Sequence, residues 1–252
     1  MAQLNSILVF LDSLLEQNKY QDSSLNGVQV GGWEMPIHNV AYAVDSGLSV
    51  IQEAVSNGAN LLLVHHGLFW DKPQAITGCL REKLELLIKH KCTIYASHLP
   101  LDGNPEVGNG CELARVLGLT DLEGFLEYKG GFIGAKGRIK STSMDYFSKK
   151  LSSIAGAKEP LVLPFGKEKI ASVAIVTGSG AFAISSAAKE GIDLFISGEP
   201  KQEAYHLAKE LKINVIFAGH YATETFGVAA LAKKVADKFD VKTLFINEPT
   251  GI

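Results

Sequence analysis

The chain has 252 residues, 46% hydrophobic and 20% charged, a globular composition with room for one large or two modest domains. Its formal net charge is −3 with no long basic run, so nothing in it favours a nucleic-acid backbone or an anionic membrane surface. No apolar run reaches the ~20 residues a membrane span needs, and the start lacks the basic and uninterrupted apolar regions of a signal peptide, so a soluble, cytoplasmic protein is expected.

Leu4, Ile7, Leu8, Leu11, Leu14 and Leu15 recur at helical spacing, which predicts an amphipathic helix over 1–17. Asp22-Ser23-Ser24-Leu25-Asn26-Gly27 reads as a turn-rich stretch before Val28-Gln29-Val30. A β-α-β unit follows: a strand over Val40–Val44, a turn at Ser46-Gly47, a helix over Leu48–Asn57 stopped by Gly58, and a second strand from Leu61 that ends on His65-His66. A helix over Arg81–His90 then leads to a third apolar strand, Thr93 to His98, with Asp102 four residues on. Cys79, Cys92 and Cys111 are never paired as C-x-x-C and read as buried thiols of a reducing compartment.

Residues 120–172 carry less pattern. A strand is expected over Phe132–Ile139, a capped helix from Thr142 to about Ala155, and a short strand at Leu161-Val162-Leu163. Thereafter the first unit recurs without a gap at an offset of 133: Val173 matches Val40, Ser179-Gly180 matches Ser46-Gly47, Gly191 matches Gly58, and Leu194-Phe195-Ile196 matches Leu61-Leu62-Leu63. Gly198-Glu199 therefore falls where the first copy has His65-His66. A helix over Gln202–Leu211 and a strand over Val215–Gly219 complete the second copy, where an offset of 122 aligns His98 with His220 and Asp102 with Glu224. A helix over 224–239 and a strand over Lys242–Ile246 close the chain.

Each strand of this kind ends on groups that can ligate a metal, and open α/β sheets gather ligands beyond the carboxyl ends of their strands. Two facing halves would bring His98, Asp102, His220 and Glu224 to one cleft, with His65 and His66 from a neighbouring strand. Three of these histidines with the two carboxylates suit Zn, Mn, Fe, Co or Ni, with Mg less favoured. Two divalent ions, offset by Asp102, Glu224 and a bridging hydroxide, would keep positive charge for an anionic substrate and provide a nucleophile at neutral pH. His38, His90 and His206 lack such context, Trp33 and Trp70 read as packing groups rather than a substrate platform, and Gly178-Ser179-Gly180 is a phosphate-loop fragment without its Lys-Ser/Thr.

At Asn26-Gly27-Val28-Gln29-Val30, His65-His66-Gly67-Leu68-Phe69-Trp70, His98-Leu99-Pro100-Leu101-Asp102, Ser197-Gly198-Glu199 and Gly219-His220-Tyr221-Ala222-Thr223-Glu224 the chain resembles the GTP cyclohydrolase I type 2 family, also called Nif-three-like dinuclear-metal proteins, in its short bacterial branch. The resemblance implies two intertwined, internally duplicated α/β domains with mainly parallel sheets, here 1–125 plus 220–252 and 126–219, with the metal site at the domain interface. It implies a ring-shaped homohexamer, a trimer of dimers. One ion would be held by His66, Asp102 and Glu224 and the other by His65 and His220 with Glu224 bridging, leaving His98 and Glu199 as supporting or acid/base groups. The implied activity is hydrolysis of GTP or a related, damaged nucleotide by metal-bound hydroxide at the imidazole C8, with release of formate. The alternatives are a ring-shaped metal-binding scaffold or regulatory interaction protein without turnover, and a metal store.

Overall fold

The computed structural model describes residues 2–154 and 158–252; Met1 and Ala155, where two helix limits were expected, lie outside the described residues. Packing divides the chain into one unit of Met1–Leu101 and Gly227–Glu248 and another of Asp102–Phe226 and Pro249–Ile252. The sequence placed these crossings at 125/126 and 219/220. Packing puts the first crossing earlier because Leu113, Ala114 and Leu117 belong to the second unit's core, and the second later because Phe226 lies against that core.

In the first unit β1 (Ala2–Gln3) leads into α1 (Leu4–Leu15), whose Leu4, Ile7, Leu11 and Leu15 are buried at the spacing the sequence predicts. Then come β2 (Gly27–Val30), β3 (Pro36–Ile37), β4 (Asn39–Asp45), α2 (Leu48–Ser56), β5 (Leu61–His66), α3 (Gly78–Lys89) and β6 (Thr93–Ala96), after which a single turn, α4 (Leu99–Asp102), reaches the second unit at Asp102. β5 is apolar from Leu61 to Val64 because both faces are covered. Leu62 and Val64 pack with Val50, Ile51 and Ala54 of α2 and Leu87 of α3. On the opposite face the Tyr95 hydroxyl donates to Asp12 of α1 (2.8 Å) and accepts from Gln17 (2.6 Å). Each such buried Leu or Ile stabilises the sheet by about 1.5–3 kcal/mol relative to exposure. Cys92 and Cys111 are buried, but Cys79 is exposed, against expectation, because α3 turns Leu80, Leu84 and Leu87 to the core and leaves the adjacent Cys79 outside that stripe.

The second unit contains α5 (Asn109–Leu117), β7 (Thr120–Tyr128), β8 (Gly131–Thr142), α6 (Met144–Ser152), β9 (Leu161–Pro164), β10 (Ile170–Val176), α7 (Ile184–Lys189), β11 (Leu194–Ser197), α8 (Gln202–Leu211), β12 (Asn214–Phe217) and the one-turn α9 (His220–Thr223). Its core joins Phe147 and Leu151 of α6 to Val173, Ile175, Leu194, Ile196 and Ile216 of the sheet. The chain then returns to the first unit through α10 (Thr225–Phe239) and β13 (Lys242–Phe245). β7 and α5 were not anticipated. β7 lacks alternation and carries Asp121 and Leu126 at positive φ, so its run of Thr-Asp-Leu-Glu-Gly hides the strand.

The strand orders are β13-β4-β5-β6-β2 and β7-β8-β10-β11-β12-β9. The first sheet is parallel apart from β2; the second is mixed, with β10, β11 and β12 parallel between antiparallel β8 and β9. The core of each unit is thus the same: β4-β5-β6-β2 repeats as β10-β11-β12-β9, the last strand antiparallel in both. Register agrees, since Val40 pairs with Leu61 and Val173 with Leu194, each 133 residues apart in the two copies. Gly58 and Gly191 both stop their helices at φ 70°, with matching bonds from Gly58 to Val55 (3.0 Å) and from Gly191 to Ala188 (3.1 Å). In the third strands Leu61 pairs with Thr93 and Leu194 with Asn214, a strand offset of 121. His220 therefore sits one residue further beyond its strand than His98 does. No helix among the described residues is long and apolar enough to cross a membrane.

Candidate metal-ligating residues in the two units

In the first unit β5 runs through His65 and His66, and β6 stops two residues before His98. Each ring offers a nitrogen, and these atoms lie within 4.8 Å of one another. The ring centroids of His65 and His66 are 4.6 Å apart, and that of His98 lies 5.1 Å from the first and 5.7 Å from the second. Alternation along a strand would send adjacent side chains to opposite faces. Here the strand end brings both rings together, and Gly67 follows so closely packed that a Cβ would lie 2.3 Å from the Gln29 side chain.

The back of every ring is held by an oxygen. His65 Nδ1 lies 2.9 Å from the Ser97 carbonyl, His66 Nδ1 2.8 Å from Asp45 and His98 Nδ1 3.0 Å from Asp22. Carbonyl and carboxylate oxygens only accept, so Nδ1 donates and the neutral ring keeps its lone pair on Nε2, the tautomer that binds metal ions. The Asp22 side chain is 2% exposed. Burial alone would raise its carboxyl, but bonds from His98, Asn26 and the Leu99 N–H hold it well below the usual carboxylate range. Asn26 does more than form a turn: its Oδ1 accepts the His98 N–H (2.8 Å) while its Nδ2 donates to Asp22 (3.0 Å).

In the second unit Asp102 is buried, and its Oδ1 accepts from Asn109 Nδ2 (2.9 Å) and from the Thr177 hydroxyl (3.2 Å). Glu224 is 3% exposed and offers an oxygen within 4.8 Å of one on Asp102. Gly219 at φ 95° lets the chain leave β12 and start α9 at once, so His220 and Glu224 share a face, with Nε2 and Oε2 3.0 Å apart. His220 Nδ1 donates to Glu199 (2.6 Å), whose other oxygen accepts from Ser179 (2.7 Å). Burial would depress the His220 imidazole, but Glu224 and then Glu199 outweigh it and lift the ring to about 9. Burial would likewise raise Glu199, and its bonds to Ser179 and His220 bring it below its ordinary value.

Gly178 allows this grouping. At φ 58°, a Cβ there would lie 2.1 Å from Glu224 Oε1 and 3.0 Å from His220 Nε2. Its N–H donates to the Thr223 hydroxyl (3.1 Å), and its carbonyl accepts from the N–H groups of Gly198 (3.0 Å) and Glu199 (2.9 Å). Sequence reasoning missed Asp22, Asp45, Asn109, Thr177 and Gly178. Only one signal could have found any of them: Asp45 and Gly178 share the repeat position just before Ser-Gly. His38, His90 and His206 are exposed and outside these groups.

The first unit thus presents three imidazoles and the second an imidazole with two buried carboxylates. That nitrogen and oxygen set, with each Nδ1 anchored, fits divalent transition-metal ions.

A family model described as Duf34/NIF3 (NGG1p interacting factor 3) matches residues 2–251. A protein of Archaeoglobus fulgidus named "GTP cyclohydrolase 1 type 2 homolog" is 42% identical over 250 residues, covering 99% of both chains. One of Deinococcus radiodurans with the same name is 42% identical over 249 residues, covering 98% of this chain and 94% of that protein. The crystal structure of TTHA1606 from Thermus thermophilus superposes with a TM-score of 0.91 at 38% identity, covering 100% of each chain.

Proposed function

Because the chain belongs to the Duf34/NIF3 family over almost its whole length, we propose that it is a dinuclear metal-dependent hydrolase of GTP or a related nucleotide, damaged ones included. The observations that carry this reading are the anchoring of His65, His66, His98 and His220, each through Nδ1 to an oxygen acceptor, and, within the second unit, the burial of the carboxylates Asp102 and Glu224. In the proposal His66, Asp102 and Glu224 would hold one ion, and His65, His220 and Glu224 would hold the other. Two such ions would supply Lewis acidity and an activated water. With about three protein ligands each they would keep open positions, as catalytic rather than structural ions do.

The remaining roles fall to the chain's own groups. Opening a guanine at C8 breaks both C8–N bonds, takes up two waters and releases formate, so each departing nitrogen needs a proton. His98, its Nδ1 held by Asp22, is placed to accept that proton at its open Nε2 and pass it on. Glu199 is engaged by both His220 and Ser179 and serves to position His220. A homo-oligomer, with the hexameric ring as its form, is part of the proposal; the exposed aromatic rings of Tyr128, Phe132 and Phe182 support it, the first and third 5.7 Å apart.

Turnover of GTP and oxidised or ring-modified nucleotides by the metal-reconstituted full chain, with Glu224→Ala alongside, tests this reading. Formate release that the variant abolishes without unfolding supports it. No turnover of any nucleotide, with the assembly falling apart when metal is removed, supports the scaffold instead.

A further inference from the structure

Trp70 stands beside the imidazoles of His66 and His98 yet is 36% exposed, so packing alone does not account for it. Its ring centre lies 5.1 Å from that of His98, inclined at 70°, and 6.3 Å from that of His66, inclined at 39°. The loop beneath it is pinned from several directions. Gln29 Oε1 accepts the Phe69 N–H (3.2 Å) as well as that of Leu68, and its Nε2 donates to the Leu25 carbonyl (2.7 Å). The Leu25 N–H donates to the Phe69 carbonyl (3.0 Å), and Ser24 pairs with Trp70 in an antiparallel bridge.

The indole Nε1 donates to the Gly67 carbonyl (3.2 Å), so the ring's polar group is used within its own loop. What the side chain offers outward is flat apolar surface, held at a fixed angle with little rotamer freedom left to lose on binding. Next to it stand the imidazoles of His66 and His98, whose tautomers are set by Asp45 and Asp22. A flat apolar ring bordering a row of fixed nitrogen groups matches a planar heterocycle that stacks on one side and presents its reacting edge to the other.

We propose that Trp70 is the stacking platform for the base of a purine nucleotide and therefore a specificity-determining residue of the site. The choice of a purine rests on the nucleotide-hydrolase reading; the platform itself rests on the placement of Trp70.

The test uses the full chain with Trp33→Phe, which leaves Trp70 as the remaining tryptophan. Guanosine should quench its fluorescence, with and without chelated metal, and inorganic tripolyphosphate should not. By calorimetry Trp70→Leu should bind guanosine about tenfold or more weakly, the loss expected for one base–aromatic stack. Trp70→Phe, which keeps a ring, should recover most of that affinity. Absence of quenching, or Trp70→Leu within twofold of its parent, overturns the platform. So does a changed elution volume of Trp70→Leu on size exclusion, which would place the indole between copies of the chain. Guanosine binding without nucleotide turnover keeps the platform and removes the hydrolase; turnover with an unchanged KM for GTP in Trp70→Leu does the reverse.

Discussion

The two halves of this chain share one backbone and carry different chemistry. β4-α2-β5 and β10-α7-β11 keep the same pairing register and stop their helices on glycines with the same φ. At equivalent points, however, Asp45 stands against Gly178, and His65-His66 against Gly198-Glu199. In the first half Asp45 props a histidine from behind. In the second, the absence of a side chain at 178 gives Glu224 and His220 their space, and Glu199 does the propping from the other strand. The frame thus fixes where a site forms, at the carboxyl ends of the parallel strands. A few substitutions at those ends decide whether each half supplies nitrogen donors or charge.

Removing the charge from the second half should have the largest effect. Glu224→Ala is expected to lower metal content and reduce turnover by at least about 100-fold, because losing an outer partner of a ligand already lowers affinity or activity roughly 10- to 100-fold. Elemental analysis and formate release measure the two. The outer partners themselves offer a matched pair across the halves: Asp45→Asn and Glu199→Gln should each weaken metal binding by about 10- to 100-fold in a chelator competition. If only one of them does, the halves are not equivalent supports.

The position that most separates the halves comes next. Gly178→Ala forces a left-handed backbone on a residue with a Cβ, which costs about 1–2 kcal/mol, and pushes Glu224 from His220. Asp45→Gly, the reverse exchange, should weaken metal binding without loosening the fold to that extent. Denaturant unfolding of both, in chelator and in metal, distinguishes strain from ligand loss.

The smallest effect is a pH dependence confined to the second half. In metal-free protein His220 is raised from 6.5 to about 9 by its carboxylate neighbours, so it is protonated in the folded state at neutral pH. Its contribution to stability is fully present below about 6.5 and is lost as pH rises through about 9. Metal binding must displace that proton, so apparent affinity should climb over the same window. Unfolding of chelated protein at pH 6 to 9 should show the decline, and Glu199→Gln should shift it to lower pH. A flat profile would remove His220 from between two carboxylates.

Much of this was legible in the sequence because it is written in local pattern. The apolar runs at Leu61–Val64 and Val215–Phe217 and the helix at Gln202–Leu211 declare themselves by periodicity, and the duplication by residue identity in register. The histidines stood out because they end those runs. What the sequence hid depends on long-range approach. Asp22 meets His98 across 76 residues, Thr177 meets Asp102 across 75, and neither pair has a periodicity to betray it. The setting of Trp70 was hidden for the same reason: an aromatic residue in an apolar stretch looks like core, and its exposure shows only in the fold. Gly178 looked like a fragment of a phosphate loop, and its role is visible only through the atoms a Cβ would meet.

The central claim is that donors from both halves serve one pair of ions, and anomalous scattering from crystals of the full chain grown with manganese or zinc tests it most directly. The account predicts two peaks about 3.5–4 Å apart, with His65 and His66 reaching them from one half and Asp102, His220 and Glu224 from the other. No peak, or ions bound to one half with the other's residues uninvolved, would contradict it.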